Sequence, residues 1–250
     1  MERHDQPAVA PVATFFVDAE LRAGGRVELD ASAAHHARVK RLAVGDVIVV
    51  TDGAGVRATA SIAELRKRSM ECDVSQTEMQ PRPPALHMRV PVADRDRMLW
   101  LAEKATEFGI TTWQSVRFRR SMSVSPRGEG STFTAKLRLR MIAALEQSGG
   151  AWLPHLLPDA DLRHIAPSKA SCSFVLDAGG PPLLGVFDAV SDREPAVLLG
   201  PEGGIEPDEM ALLEGGGWHR ARLASTTLRF ETAGIGAIAA VRAAQLLTEI

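Results

Sequence analysis

Between residues 86 and 247, short apolar runs alternate with segments of helical periodicity. The runs Leu86 to Val90 and Pro195 to Leu199 have the length of strands, whereas Arg95 to Phe108 repeats apolar residues at spacings of three and four. Such alternation predicts an α/β domain with a mostly parallel sheet and helices on both faces. The other predicted strands are Thr112 to Val116, Phe174 to Leu176 and Arg220 to Leu223, and the other helices are Ala135 to Gln147, Pro207 to Glu214 and Thr232 to Leu247.

The N-terminal part has a different pattern. From Phe15 to Glu78, short β-like runs are broken by turn signals, the clearest being the hairpin dipeptide Asp52-Gly53. With one short helix, from Ala33 to Leu42, this part predicts a small β-barrel or partly open sheet. The prolines of residues 80–85 indicate a stiff linker. We therefore expect a flexible tail at 1–14, a β domain at 15–79, the linker at 80–85 and an α/β domain at 86–250.

Composition and targeting signals are those of a globular protein. The chain has 250 residues, of which 45% are hydrophobic, enough for a sizeable core. Cys72 and Cys172 stand a hundred residues apart without a metal-ligand spacing, so we expect two core residues and no metal. The N-terminus lacks a signal-peptide pattern and no long apolar run follows, which predicts a cytoplasmic protein.

Charge is unevenly distributed along the chain. The net charge is −2, yet Arg117 to Arg140 holds seven basic residues and one acid, Glu129. RNA is a plausible partner, because affinity for phosphates depends on the local patch rather than on the net charge. A solvated helix face is the alternative interpretation of this segment.

Two loops in the C-terminal part predict a ligand pocket. The GPEGG loop (residues 200–204) and the segment from Leu223 to Ala233 each follow an apolar run and lead into a helix. In an open α/β sheet, ligands bind in the crevice beyond the carboxyl ends of the strands. An ordinary glycine-rich turn is an alternative interpretation of the first loop taken alone.

The kind of ligand can be narrowed from the loop chemistry. The chain has neither a G-x-x-x-x-G-K-[ST] motif nor a G-x-G-x-x-G motif that follows a strand and opens a helix. The GPEGG loop carries Glu202 and no lysine, so it would repel phosphate and suit a positively charged ligand such as a sulfonium.

Five motifs together resemble the RsmE-type family. They are the GPEGG loop, L-x-x-x-x-L-R-x-E-T-A from Leu223, KATEFG at 104–109, EQSGG at 146–150 and HHARVKRL at 35–42. Members of that family are ribosomal RNA methyltransferases of the SPOUT class, which methylate N3 of a uridine in 16S rRNA with S-adenosylmethionine. The resemblance extends from about Phe15 to Leu247, in the family's order.

The resemblance implies a PUA-like, RNA-binding N-terminal domain and a SPOUT domain with a C-terminal trefoil knot that forms a homodimer. The last helix, ETAGIGAIAAVRAAQLL, has small residues all around and little charge before Arg242, which predicts a buried helix. A dimer interface would explain that composition. The expected partners are ribosomal RNA, or the small ribosomal subunit, and a second copy of the chain.

The resemblance also assigns the cofactor site. The family holds S-adenosylmethionine mostly through backbone groups. The matching positions in this sequence are Leu176, Gly200, Gly203, Gly204, Leu223, Ala224, Ser225, Thr226, Thr227 and Leu228.

Arg229 and Glu231 are the candidates for catalysis. Arg229 would stabilise charge on a uracil oxygen, and Glu231 would accept the N3 proton or orient Arg229. A place in the first turn of the last helix, favourable to the helix dipole, is the alternative for Glu231. The RNA-binding candidates are His35, Arg38, Lys40, Arg41, Arg119 and Arg120. The first four form a cationic cluster together with His36, which is itself expected in a core or capping role.

Four positions depart from the family pattern. The family usually has glycine at Ala224, arginine at Thr226, threonine at Phe230 and arginine at Gly150. The loss of two arginines leaves two other functions open: a non-catalytic RNA-binding or ribosome-assembly protein on the same fold, and a SPOUT methyltransferase for another RNA position.

Overall fold

The computed structural model describes residues 13–123, 126–168, 170, 172–186 and 194–247. The chain divides into two compact units, residues 1–82 with 145–152, and residues 83–144 with 153–250. Of the predicted flexible tail at 1–14, residues 1–12 lie outside the described residues, and Thr14 begins the first strand. Residues 145–152, which include the whole EQSGG motif, thus cluster with the N-terminal unit.

The first unit is a five-stranded sheet with one helix. The strand order is β1-β3-β4-β5-β2, and only the β1–β3 pair is parallel among the pairs described. Its elements are β1 (Thr14–Phe16), β2 (Arg26–Leu29), α1 (Ala31–Val39), β3 (Val47–Thr51), β4 (Val56–Leu65) and β5 (Met70–Met79). The Asp30 side chain caps α1 by accepting from the Ala33 N–H at 2.9 Å. The helix ends before the predicted Leu42, because Arg41 takes a left-handed conformation with φ of 61°.

The second unit is a six-stranded sheet in which every described pair is parallel, in the order β11-β9-β10-β6-β7-β8. The predicted parallel α/β architecture is therefore confirmed. Its strands are β6 (His87–Pro91), β7 (Thr112–Arg117), β8 (His155–Asp161), β9 (Cys172–Leu176), β10 (Pro195–Leu199) and β11 (His219–Ala221). Its helices are α2 (Arg95–Glu107), α3 (Gly130–Ser148, whose last turn belongs to the first unit), α4 (Leu162–Ile165), α5 (Leu183–Val186), α6 (Pro207–Gly215) and α7 (Phe230–Leu247), with a 3-10 turn at Arg119–Ser123.

Helices cover both faces of this sheet. In β10, Val197 and Leu199 face the core shared with α2 and α7, whereas Ala196 and Leu198 face the core shared with α4 and α6. Both sets are buried, so the strand appears in the sequence as a continuous apolar run. Within the described ranges, no helix has the length and apolar character needed to cross a membrane.

The composition of the last helix predicts burial on all sides, but in the single chain one side of α7 is partly exposed. Gly234 packs so closely on α2 that an added Cβ would lie 2.9 Å from Leu101 Cδ1. The opposite side is partly open: Leu246 is 61% exposed and Leu247 is 73% exposed. In the single chain, α7 packs against its own unit along one stripe only, so full burial stays a prediction that depends on the dimer interface.

Candidate active site

A cavity of about 360 Å³ lies at the carboxyl ends of β9, β10 and β11. Both predicted loops border it, as the general rule for open α/β sheets requires. It brings together nine of the predicted site residues: Leu176, Gly200, Gly204, Leu223, Ala224, Thr226, Thr227, Leu228 and Arg229. Of the other predicted positions in these loops, Gly203, Ser225 and Glu231 are not part of its lining.

The first loop, residues 200–206, is held by several hydrogen bonds. Gly204 has φ of +77° and its N–H donates to the Pro201 carbonyl at 2.8 Å. A Cβ on Gly200 would lie 3.0 Å from Ile205 Cγ1, so the backbone there is in close contact with its own loop. The Glu206 N–H donates to Glu209 Oε2 at 3.2 Å at the start of α6. The loop thus has a defined shape without a ligand.

Arg119 and Arg120, predicted to bind RNA, fasten this loop and α6. The Arg120 guanidinium donates to the carbonyl of Gly203 and to Glu206 Oε1, the latter at 2.7 Å. The Arg119 guanidinium pairs with Asp208, and this hydrogen bond lowers the pKa of the aspartate. Their role toward RNA stays a prediction, but both side chains already have partners within their own unit.

The second loop, residues 222–229, is anchored at its ends. The Arg222 N–H donates to the Pro181 carbonyl at 2.8 Å, and the Arg229 carbonyl accepts from Ala233 at 2.9 Å. Between them, residues 223–228 make no hydrogen bond to any described residue. Ser225, Thr226 and Thr227 are exposed. The backbone groups of this loop are therefore available to a ligand.

Glu231 lies beside this loop with an unusual lack of partners. It is 8% exposed, and among the described residues its Oε2 atom is buried without a hydrogen-bond partner. The nearest cation to Oε1 is Arg97, whose Nε is 3.9 Å away, too long for a direct hydrogen bond. The carboxylate stands in the first turn of α7, as the alternative interpretation requires, but in the described structure it accepts no capping hydrogen bond from a backbone N–H.

Arg97 is a site residue that sequence reasoning missed. It stands in the first turn of α2, where Asp94 caps the helix by accepting from the Arg97 N–H at 3.0 Å. Its guanidinium lies 3.9 Å from Glu202 Oε1 and 3.9 Å from Glu231 Oε1, so it connects the GPEGG loop with α7. No local pattern marks it, because both partners are more than a hundred residues away in the sequence.

The four basic candidates of the N-terminal unit are all exposed on or just after α1: His35, Arg38, Lys40 and Arg41. The Arg38 guanidinium donates to the carbonyls of Arg66 and Lys67 at 2.7 and 3.0 Å, so it fixes the β4–β5 turn beside α1. His36 is partly buried, its ring contacts Phe15 edge-on at 5.5 Å, and burial lowers its pKa, which fits the core role expected for it.

The departures from the family pattern fall in two environments. Ala224 and Thr226 line the cavity, so they alter its wall directly. Phe230 also borders it, but it is 4% exposed and belongs to the hydrophobic core. At Gly150, an added Cβ would lie 2.8 Å from Leu145 Cδ1, so the local packing suits glycine.

Comparison with known proteins agrees with this architecture. Residues 80–242 match the RNA methyltransferase domain family, and residues 29–75 match the RNA methyltransferase PUA domain family. The ribosomal RNA small subunit methyltransferase E of Mycobacterium tuberculosis is 26% identical over 238 residues, which cover 91% of this chain and 90% of that protein.

Solved structures that superpose on this chain also include RNA methyltransferases. The ribosomal RNA small subunit methyltransferase E of Neisseria gonorrhoeae, crystallised with S-adenosylmethionine, superposes with a TM-score of 0.82 at 26% identity, covering 92% of this chain and 97% of that one. A predicted RNA methyltransferase from Thermotoga maritima superposes with a TM-score of 0.73 at 28% identity, covering 95% and 100%.

Because the first family match spans more than half of its length, the chain belongs to the RNA methyltransferase family, and its N-terminal unit contains that family's PUA domain. The resemblance to the RsmE type is confirmed by the curated relatives and by the structural neighbours.

Proposed function

We propose that this protein transfers a methyl group from S-adenosylmethionine to N3 of a uridine in 16S ribosomal RNA. The observation that carries the proposal is the cavity at the carboxyl edge of the sheet, bordered by both motif loops, together with the adjacent carboxylate of Glu231, whose buried Oε2 atom has no hydrogen-bond partner among the described residues. The related enzyme from Neisseria gonorrhoeae, crystallised with this cofactor, supports the choice of methyl donor.

The cavity fits such a cofactor in size and chemistry. Its volume of about 360 Å³ is within the range of small-molecule sites. Leu176, Leu199 and Leu223 supply apolar walls suited to an adenine ring, and Asp177 and Glu202 supply the negative charge that favours a sulfonium. The residues of this chain that would hold the cofactor are the ten predicted positions, of which eight line the cavity and two, Gly203 and Ser225, lie in the same loops outside its lining. When bound, S-adenosylmethionine supplies an electrophilic methyl carbon.

The chain's own residues would prepare the uridine. N3 must lose its proton, and Glu231 Oε2 is a buried acceptor with no other described partner. Arg229 lines the cavity and would donate to a uracil oxygen as negative charge develops on the base. Arg97 is a positioning residue, because its guanidinium holds Glu231 and Glu202 from a common point. We therefore assign the orientation of Glu231 to Arg97, while an orienting role of Glu231 toward Arg229 stays a prediction.

The RNA would bind through the first unit as well. The exposed cations of α1 are joined by Lys67 and Arg68 of the turn that Arg38 fixes, so the predicted cluster is larger than the motif alone. Exposed arginines and lysines without aromatic neighbours suit phosphate positioning rather than base reading. With ribosomal RNA as the substrate, we expect the protein to act in the cytoplasm, with 15–79 as the RNA-docking domain and 86–250 as the methyltransferase domain.

The half-exposed side of α7 supports the proposed homodimer. Ala239, Ala243 and Leu246 border a cavity of about 440 Å³ on that side, next to Phe108 of the same unit. Small residues permit a second helix to approach closely, and a partner would cover leucines that a monomer leaves in water. The trefoil knot remains part of this proposal, on the strength of the resemblance.

Methyl transfer to defined RNA tests the function. Small subunits lacking the modification are incubated with the protein and radiolabelled S-adenosylmethionine, and the modified position is mapped by the stop that an N3-methyl group imposes on reverse transcription. We expect label in 16S rRNA at one uridine. Label at another base or in transfer RNA would show that the protein methylates a different RNA position. Cofactor binding without label in any RNA would favour the non-catalytic alternative.

A further inference from the structure

A second cavity, of about 320 Å³, opens at the amino ends of the same parallel strands. Strand β10 separates the two: Ala196 borders the second cavity, whereas Leu199 and Gly200 border the first. Four residues of extended chain span roughly 13 Å. The second cavity is therefore distinct from the methyl-transfer site, and none of the five family motifs contributes to its lining.

Arg89 is the unusual residue in this cavity. It stands on the interior strand β6, in register with Leu198 of β10 on one side and Gln114 of β7 on the other. Interior strands of a parallel sheet are covered on both faces and normally carry apolar residues. The neighbours Met88 and Val90 obey that rule on the opposite face, where both are fully buried.

Among the described residues, no carboxylate forms an ion pair with the Arg89 guanidinium. Its Nη1 atom is buried, and among the described residues it has no hydrogen-bond partner. Burial lowers the pKa of Arg89 because the charged form loses solvation. A buried charge without a partner is costly, and an unsatisfied buried donor calls for a ligand or ordered solvent. The cavity supplies the space for one.

The surrounding groups are polar and suit an anion. His87 lies two residues before Arg89 on the same strand, with its Nδ1 2.9 Å from Thr112 Oγ1. His164 and Ser168, from α4 and the turn after it, border the same space. The one carboxylate in the described lining, Glu194, has its Oε2 atom 3.9 Å from His87 Nε2, but its side chain is 69% exposed, so solvent weakens its repulsion of an anion.

We propose that this cavity binds a phosphate group, with Arg89 as the principal ligand and the two imidazoles and the serine hydroxyl as further polar contacts. The planar fork of arginine matches the oxygens of phosphate, and its positive charge makes each hydrogen bond charge-assisted and strong. The phosphate belongs either to a small phosphomonoester or to the backbone of the RNA that the protein modifies.

Titration with phosphate probes tests the proposal. The full chain is titrated, without S-adenosylmethionine, with methyl phosphate as the monoester probe and dimethyl phosphate as the diester probe. Arg89→Met keeps the side-chain length and removes the charge, and Arg163→Met, at an exposed residue of α4 outside the cavity, is the matched control. Binding of S-adenosylmethionine to each variant reports separately that the unit is folded.

Saturable binding of one probe by wild type and by the control, weakened about tenfold or more in Arg89→Met, is the expected result. Preference for the monoester assigns a small-molecule source, and preference for the diester assigns the RNA backbone. Should Arg89→Met fail to fold, Arg89→Lys retains charge without the fork, and its affinity should fall below that of wild type. Absence of millimolar binding by wild type, or equal affinity in the Arg89 variants, overturns the proposal.

Discussion

The two loops that border the methyl-transfer cavity are held in different ways. The first, at 200–206, is tied by the Arg120 guanidinium, by its own turn and by the start of α6. The second, at 222–229, is bonded at its ends, while residues 223–228 have no hydrogen bond to any described residue. A fastened loop is organised before the ligand arrives, whereas an unfastened loop must lose conformational entropy on binding.

The difference indicates that the two loops have different roles in binding the cofactor. The first loop offers a preformed wall, and the second offers backbone groups that a ligand would order, next to the helix that carries Glu231. Substrate-dependent ordering of one loop against a rigid scaffold is a common way to complete a catalytic site. The following predictions test these roles, in order of decreasing effect.

Glu231→Gln should have the largest effect, because it removes the proton acceptor at the end of the unfastened loop while keeping the shape. We expect kcat to fall about a hundredfold or more, with cofactor affinity little changed. Methyl transfer to small subunits, followed over a range of pH, is the measurement. Glu214→Gln is the control. Glu214 is an exposed residue of α6 that pairs with Arg220, and this variant should retain activity. An unchanged rate and pH profile in Glu231→Gln would end the general-base proposal.

Arg120→Met should loosen the fastened loop. Its guanidinium makes two hydrogen bonds there, one of them to a carboxylate, and their loss should weaken S-adenosylmethionine binding about tenfold. Calorimetric titration measures the change. Arg119→Met is the matched control, since it breaks an exposed pair with Asp208 outside the cavity and should leave affinity nearly unchanged. Equal effects of the two variants would contradict a specific role for Arg120 in the loop.

The smallest expected effect is a difference in amide hydrogen exchange between the two loops. Without cofactor, amides 223–228 should exchange rapidly, since they lack partners, whereas Gly204 should be slowed by its bond to Pro201. With S-adenosylmethionine, protection should increase more in 223–228 than in 200–206. A larger increase in the first loop would reverse the proposed roles.

The sequence predicted the parallel sheet and both loops because their signals are local. Apolar runs of strand length identify β6 and β10, and glycine with proline marks the GPEGG turn. Strand β8 was missed, because it pairs with β7 at the sheet edge, contains Pro158 and has no fully buried position. Residues 155–161 form a strand because they pair with β7, and their own sequence pattern does not indicate one.

The sequence predicted the site residues that lie within the motifs, but not the contacts that residues outside them make with the site. The roles of Arg97 and Arg120 depend on acids that lie 134 and 86 residues away, at Glu231 and Glu206, and no local spacing encodes such pairs. The basic run from Arg117 shows the same limitation, since Arg117 is paired with Glu129, Asp159 and Asp161. Such charges were counted from the sequence as an RNA patch, but folding supplies partners for several of them.

The most direct test of the account is calorimetric titration of the purified protein with S-adenosylmethionine, beside Gly200→Trp. An added Cβ at Gly200 would already lie 3.0 Å from Ile205, and an indole would block the cavity. We predict saturable binding by wild type and its loss in the variant, with the fold of the variant checked by circular dichroism. No binding by wild type at millimolar cofactor would contradict the assignment of this cavity as the methyl-donor site.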